Sequence, residues 1–181
     1  MDQDLEYIKM FKSGDLGGFE MLVKKYQNKA LNIAYSFTSN ITSAEDIAQE
    51  AFIKIYRALK GFRAESKFSS WLYRIVVNSA YDFLRKNKHE NLSLEDAEFV
   101  EPVDKRQAED ILAKELVSYA LDKIPFVYRS AIILREVEGL SYQDISRVLK
   151  IGIGTVESRI SRARQMLKEI LVKRGVFKDE L

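Results

Sequence analysis

The stretch "SYQDISRVLKIGIGTVESRISRAR", residues 141–164, contains two helical patterns separated by a pair of glycines. Ser141 is a typical N-cap residue, and it begins the first pattern, which predicts a helix over 141–149. The letters "IGIG" predict a tight turn, and Thr155 predicts the cap of a second helix over 155–173. Two helices joined by a short turn that contains glycine form a helix-turn-helix, and this stretch therefore predicts one.

The second helix of this pair has one apolar face and one polar, basic face. Its apolar stripe, at 100° per residue, consists of Val156, Ile160, Ala163, Leu167 and Ile170. Between Ile145 and Arg174 there are eight basic residues and two acidic ones. A basic second helix fits the major groove of DNA, where arginine recognises guanine and serine allows close approach. The alternative is a solvated surface helix in an ordinary bundle, but the turn and the polar start of the helix favour DNA binding.

A second segment, "GFRAESKFSSWLYRIVVNSAYDFLRKNK" at residues 61–88, places aromatic residues between basic ones. Between Lys60 and Lys88 there are seven basic and two acidic residues. Rings that stack on bases and cations that attract phosphates are typical of proteins that bind single-stranded nucleic acid. The same segment also carries an ordinary core stripe, made of Leu72, Ile75, Val76, Ser79 and Phe83. The residues alone favour placing the rings in the core.

The pattern "SAEDIAQEAFIKIYRAL", residues 43–59, predicts a helix with a second, exposed row of side chains. The row consists of Asp46, Glu50, Ile53 and Arg57, with Gln49 beside it. An isoleucine among exposed charges is consistent with a protein partner. Single exposed apolar residues are common on protein surfaces, however, so the row alone does not establish a partner.

Helical periodicity runs through nearly the whole chain, so we expect an all-α protein. The predicted helices are one from about Gly18, one from Thr42 with a capping box to Glu45, one over 68–86, and four over 107–123, 126–138, 141–149 and 155–173. An acidic, aperiodic segment that contains Pro102 interrupts them and predicts a flexible linker. The predicted organisation is a first helical domain over 1–90, a linker over 91–105, and a second helical domain over 106–181 with the helix-turn-helix.

Composition excludes several classes of function. The chain of 181 residues has no cysteine and one histidine, His89, so thiolate metal sites are excluded and we expect no metal and no cofactor. There is no glycine-rich phosphate loop and no isolated carboxylate pair in apolar surroundings, so we predict no catalytic residues and no enzyme. The N-terminus lacks the apolar run of a signal peptide, and no stretch is long enough to span a bilayer. We therefore expect a cytoplasmic protein that does not insert into the membrane.

Two blocks carry a family resemblance. The blocks are "DIAQEAFIKIYRALKGFRAESKFSSWLYRIVVNSAYDFLR" at residues 46–85 and "LREVEGLSYQDISRVLKIGIGTVESRISRAR" at residues 134–164. In this order and spacing they strongly resemble the bacterial extracytoplasmic-function (ECF) sigma factors of the sigma-70 family. These are compact two-domain subunits that give RNA polymerase its promoter specificity. The resemblance covers nearly the whole chain except the linker.

The resemblance implies three sets of contacting residues. The set for the clamp coiled coil of the polymerase's largest subunit is Asp46, Gln49, Glu50, Ile53 and Arg57. The set for the minus-ten element, where a non-template base would be flipped into a pocket, is Phe62, Arg63, Lys67, Phe68, Trp71, Arg74 and Asn78. The set for the minus-thirty-five element is Glu157, Ser158, Ser161 and Arg162 at bases, with Thr155, Arg159 and Arg164 at phosphates or shaping the helix.

The resemblance also implies partners. They are core RNA polymerase, through its clamp and flap, promoter DNA in duplex and single-stranded form, and an anti-sigma factor that masks both domains until a stress signal arrives. Family members commonly carry a basic residue at the position of Glu157 and a larger residue at Ser161, so this chain departs from the pattern where promoter sequence is read. The alternative is a free-standing helix-turn-helix repressor or activator. Such a protein would bind duplex DNA tightly by itself, whereas a sigma factor requires core polymerase.

Overall fold

The computed structural model describes residues 2–90 and 105–175, and every regular element in these two ranges is an α-helix. The helices are α1 (Gln3–Lys12), α2 (Gly17–Thr38), α3 (Ile41–Leu59), α4 (Phe68–Glu90), α5 (Lys105–Asp122), α6 (Phe126–Glu136), α7 (Tyr142–Leu149) and α8 (Ile153–Lys173). The predicted all-α fold with a helix-turn-helix in its C-terminal half is confirmed. The predicted linker lies, from residue 91 to 104, outside the described residues. In the described ranges, no helix combines the length and the apolarity needed to cross a membrane.

Helix α1 was not predicted, and it is fixed firmly to α2. Gly18 permits the close approach, because a Cβ at this position would lie 2.2 Å from the carbonyl oxygen of Tyr7. The buried Asp4 carboxylate accepts hydrogen bonds from Lys25 Nζ and from the Tyr26 hydroxyl, each at 2.6 Å. Burial, followed by the bond to Asp4, raises the pKa of Tyr26 above its ordinary value. The polar network and the close backbone contact therefore hold α1 in one place.

The predicted helix starts were correct at α7 and wrong at α3 and α8. Ser141 caps α7 as predicted, since its hydroxyl accepts from the backbone N–H of Asp144 at 3.1 Å. The cap of α3 is Asn40 rather than Thr42, because the Asn40 side chain accepts from the N–H of Ser43 at 2.9 Å. The cap of α8 is Gly152, which makes no side-chain cap bond, and Thr155 lies inside the first turn.

Each half of the chain contributes buried apolar side chains to a continuous core. The largest fully buried side chains of α2–α4 are Leu22, Ile33, Phe37, Ile47, Ile55, Leu59, Phe68 and Leu72, and those of α6–α8 are Ile133, Leu134, Ile145 and Ile160. The two halves meet where the Phe126 ring stacks on Phe37 at a centroid distance of 5.0 Å and meets Tyr81 edge-on at 4.9 Å. Helix α6 therefore packs against α2 and α4 in this structure.

Candidate nucleic-acid interface

The N-terminal half of α8 presents the polar face that the sequence predicted. Val156, Ile160 and Ala163 are buried against the rest of the second half. The exposed side chains of the predicted set are Thr155, Glu157, Ser158, Ser161, Arg162 and Arg164, whereas Arg159 is half-buried at the edge. Because the apolar stripe fixes the rotation of the helix, these side chains point into solvent together.

Two contacts set the position of α8 within the helix-turn-helix. Arg164 Nη2 donates to Glu136 Oε1 of α6 at 2.6 Å, and this bond raises the pKa of Arg164 above its ordinary value. The Ser146 hydroxyl donates to the carbonyl oxygen of Ile151 at 2.5 Å and closes the turn between α7 and α8. Lys150 ends α7 in the left-handed conformation, at φ 54°. The exposed Arg164 side chain is thus bound to Glu136 of α6, and this bond helps to orient α8.

Arg162 is the exposed guanidinium on this face that remains available to a ligand. Its Nη1 lies 3.4 Å from Gln165 Oε1, which is a long contact, and within the described ranges it pairs with no carboxylate. Arg174, farther along the chain, lies over the Tyr119 ring at 3.6 Å from its centroid. Arg174 therefore supports the packing of α5 against the end of α8.

The segment between α3 and α4 forms a pocket whose floor is aromatic. Phe62 and Phe68 are 7% and 1% exposed, and their rings pack against each other and against Trp71. Both rings are therefore largely buried in the core, and Phe62 also lines the pocket, so a role for either ring at the displaced strand stays a prediction. A ring so buried cannot stack on a base without leaving its neighbours.

The pocket itself has a volume of about 610 Å³, within the range of small-molecule sites. Its walls include Arg63, Ala64, Glu65, Trp71 and Arg74. Lys150 of the α7–α8 turn also lines the pocket, so its lining contains three cationic side chains, Arg63, Arg74 and Lys150. The site combines a ring, positive charge and open space, which are the features that a base with its phosphates requires.

One face of α4 continues from this pocket. Trp71, Arg74 and Asn78 follow at intervals of three and four residues, so they share a face of the helix. Asn78 is exposed, and Lys67 is exposed just before the helix begins. The predicted minus-ten residues therefore lie at the pocket and along the adjoining face of α4, with the Phe62 and Phe68 rings buried beneath Trp71.

The predicted row on α3 is exposed along its whole length. Asp46, Gln49, Glu50 and Arg57 are exposed, and Ile53 is 50% exposed. A groove of about 730 Å³ lies beside it, which sequence reasoning missed. Its lining includes Phe19, Val23, Leu31, Phe52 and Tyr56, together with Gln49 and Ile53 from the row. The signal in the sequence was Tyr56, three residues after Ile53 and hence on the same face.

Charged groups of the two halves approach each other at two places, and sequence reasoning missed this feature as well. Glu138 is half-buried near the Tyr73 hydroxyl and the Lys29 ammonium; burial raises the pKa of Glu138, and these two neighbours oppose the rise. The Ser141 hydroxyl holds the pKa of Asp144 low, and the charge of Lys67 adds to this effect.

In the described part of the chain, no cluster of three or more histidine, aspartate or glutamate side chains is placed to hold a metal ion.

Comparison with known proteins identifies both halves of the chain. The model of Sigma-70 region 2 matches residues 22–90, and the model of Sigma-70 region 4 matches residues 114–167. The chain is 39% identical to the RNA polymerase sigma-H factor of Pseudomonas aeruginosa, over 94% of each chain. It is 35% identical to the ECF sigma factor SigW of Bacillus subtilis, over 91% of this chain and 94% of that protein.

Solved structures have the same helical arrangement. CnrH in complex with the cytosolic domain of CnrY matches 95% of this chain and 99% of its own, with a TM-score of 0.74 and 28% identity. The sigma factor RpoE of Bartonella quintana, in complex with the anti-sigma factor NepR, matches 84% of this chain and 96% of its own, with a TM-score of 0.64 and 26% identity.

Proposed function

The chain belongs to the extracytoplasmic-function sigma factors of the sigma-70 family, and from this premise we propose how its surfaces select a promoter. As a sigma factor it acts in transcription initiation. The proposal is that the chain binds core RNA polymerase, reads a minus-thirty-five element as duplex DNA and opens a minus-ten element. The observation that carries the proposal is the presence of two separate cationic sites, one on α8 and one at the α3–α4 pocket.

The exposed start of α8 would enter the major groove at the minus-thirty-five element. Arg162 is exposed on the side of α8 that faces away from the apolar stripe, and its guanidinium can bind guanine through two hydrogen bonds. Ser158 and Ser161 are short enough to let the helix approach the bases. Arg159 and Thr155 would bind phosphates, and Arg164 would act through Glu136 by orienting the helix.

The α3–α4 pocket would hold the opened minus-ten strand. A flipped base would stack against Trp71, and Arg63 and Arg74 of the pocket would neutralise the neighbouring phosphates together with the exposed Lys67 just before α4. Asn78 can donate and accept hydrogen bonds at a base edge farther along α4. Phe62 and Phe68 would support this site from below by fixing the Trp71 ring.

The exposed row on α3 and its apolar groove would bind core polymerase. A row with both charge signs beside an apolar groove suits a partner helix that carries apolar residues on one face and charges at its edges. We propose that this partner is the clamp coiled coil of the largest subunit, while the second domain contacts the flap. The charged side chains of the row are Asp46, Glu50 and Arg57.

We further propose that an anti-sigma factor controls this chain. The support is the likeness to Bartonella quintana RpoE, which was solved in complex with the anti-sigma factor NepR, and to CnrH, which was solved in complex with the cytosolic domain of CnrY. Such a partner would cover the surfaces that polymerase and promoter need.

Run-off transcription tests the proposal. The chain is mixed with core RNA polymerase and fragmented genomic DNA, and the start sites are sequenced. Starts preceded by two shared elements at a fixed spacing are expected only when both the chain and core are present. Tight, specific binding of the chain alone to duplex DNA, with no change in start sites, would instead establish a free-standing regulator.

A further inference from the structure

The loop that forms the minus-ten pocket has few fixed points of its own. Between the last residue of α3 and the first of α4, the side chains of Arg63, Ala64, Glu65 and Lys67 are exposed. Ala64 adopts a left-handed backbone conformation, at φ 58°, which a non-glycine residue holds only under constraint from its surroundings. Something outside the loop must therefore define its path.

A lysine that lies 50 residues earlier in the sequence supplies one such constraint. Lys12 Nζ, in the last turn of α1, donates a hydrogen bond to the backbone carbonyl oxygen of Phe62 at 2.6 Å. The Phe62 carbonyl follows the last turn of α3 directly, because the Phe62 N–H itself donates to the Leu59 carbonyl at 3.1 Å. An ammonium placed here also complements the negative end of the α3 dipole.

The ammonium of Lys12 is presented by a helix that cannot easily move. The Gly18 contact and the Asp4 network described above fix α1 to α2. Next to Lys12, the buried Phe11 ring packs edge-on against Tyr56 of α3, with centroids 5.3 Å apart. The short bond from Lys12 therefore connects the pocket loop to a rigid support.

We propose that Lys12 is a positioning residue for promoter opening. By holding the Phe62 carbonyl, it sets the path of the backbone into Arg63 and the left-handed Ala64, and hence the shape of the pocket that takes the flipped base. This inference rests on the proposed function. Lys12 acts through the loop, and its ammonium is engaged with the protein rather than with DNA.

The test compares Lys12→Met, Lys12→Arg and Lys9→Met. Met keeps the length of lysine without its donor, and Arg keeps a charged donor. Lys9 is exposed in the same turn of α1 and makes no side-chain hydrogen bond or ion pair within the described ranges, so Lys9→Met is a matched control for charge. Each variant is assayed with core polymerase on a duplex promoter, on promoters that carry each of the four bases at the flipped position, and on a template with a mismatch bubble at the minus-ten element.

We expect Lys12→Met to lower duplex transcription about tenfold and to flatten the preference at the flipped base, since a charged hydrogen bond that shapes the site is lost. Lys12→Met should regain most of the wild-type activity on the bubble template. Lys12→Arg should retain much of the wild-type activity on duplex DNA. Lys9→Met should match the wild type on every template.

Two outcomes would overturn the inference alone, given an active wild type. One is equal activity of Lys12→Met and Lys9→Met on the duplex promoter with unchanged base preference. The other is an equal loss by Lys12→Met on duplex and bubble templates, which indicates general damage rather than positioning. A wild-type chain that fails to direct core polymerase on any template would overturn the proposed function itself, and the inference with it.

Discussion

Arg129 of α6 donates a hydrogen bond from Nη2 to the backbone carbonyl oxygen of Phe37 in α2, at 2.7 Å and across 92 residues of sequence. The guanidinium is 5% exposed, and the same Nη2 contacts Asp122 Oδ1 at 2.5 Å. Among the residues that the structure describes, its Nε has no acceptor. Burial lowers the pKa of Arg129, although the charge of Asp122 opposes this shift. A cation that is incompletely paired thus lies at the contact between the two halves of the chain.

Replacing Arg129 should loosen that contact. Arg129→Met keeps an apolar side chain of similar length but removes the guanidinium that donates to Phe37 and lies over its ring. We expect the packed arrangement of the two halves to lose about 1.5–3 kcal/mol, the usual value of a hydrogen bond to a charged group. The chain has no cysteine, so spin labels can be placed on two introduced ones, at the exposed positions Asn32 and Lys168.

The label distance should lengthen and broaden in Arg129→Met. The matched control is Arg135→Met on the same helix, because Arg135 donates to the Leu140 carbonyl at 2.8 Å within its own half. If Arg129→Met and Arg135→Met gave the same distance distribution, the Arg129 bond would not be what holds the halves together.

Acid should strengthen the contact around Glu138. Burial raises the pKa of Glu138 above its ordinary 4.5, although Lys29 and Tyr73 oppose the rise. A raised pKa means that the folded state binds the proton more tightly, so this contribution is present below about pH 4.5 and is lost as the pH rises through the folded value.

Urea unfolding from pH 4 to pH 7 measures this effect as a difference between proteins. Glu138→Gln lacks the titrating group, and its stability advantage over the wild type should grow as the pH rises. A constant difference across that range would contradict the prediction.

Arg162 should contribute to base discrimination. Arg162→Ala is expected to cost about 1–3 kcal/mol of binding and to relax the preference at one base pair of the minus-thirty-five element, because a bidentate contact to guanine is lost. Lys168→Ala, an exposed cation two turns later on α8, should weaken binding evenly across sequences or leave it unchanged. Transcription from a panel of base-substituted promoters distinguishes the two; equal, uniform losses would make Arg162 a phosphate contact.

Ile53 should be needed for binding to core polymerase. Ile53→Asp places a charge at the edge of the apolar groove and is expected to weaken co-purification with core without lowering the thermal midpoint. Ile41→Asp is a close control, since Ile41 is 52% exposed and Ile53 is 50% exposed on the same helix, but Ile41 lies outside the row. If both variants retained core equally well, the row would not be the docking surface.

Substitutions of Phe68 and Asn78 should distinguish an effect on protein stability from an effect on promoter opening. Phe68 is almost wholly buried, so Phe68→Ala should cost about 3–5 kcal/mol of unfolding free energy. Asn78 is exposed, so Asn78→Ala should leave stability unchanged and lower transcription from duplex promoters more than from bubble templates. Lys67→Ala should behave as Asn78→Ala does. Full duplex activity of stable Asn78 and Lys67 variants would refute the strand-opening role.

The helices and the exposed face of α8 could be predicted because each depends on local periodicity. Val156, Ile160 and Ala163 recur at helical spacing, and that spacing alone decides which residues point outward. The starts of α3 and α8 were mispredicted because several capping residues lie close together in the sequence, and geometry selects one. Asn40 captures the N–H of Ser43, although Thr42 also fits the pattern.

The sequence favoured the core for the rings of residues 61–88, and the burial of Phe62 and Phe68 agrees with that. Local patterns could not predict which individual rings are buried, nor the contact between the halves. The residue type of an aromatic side chain between lysines does not show whether its ring faces the core or solvent. The partners of Lys12 and Arg129 lie 50 and 92 residues away in sequence, so no window along the chain contains both members of either pair.

The contact between Phe37 and Phe126 joins two bodies that residues 91–104 already tether. A tether of this size typically gives an effective concentration in the millimolar range, so a contact with a dissociation constant of a few hundred micromolar keeps most molecules closed. A single proteolytic cut within the tether would replace that local concentration with the concentration of the protein in solution. At micromolar levels a contact of that strength would then no longer hold the two halves together, although every residue at the contact remained intact.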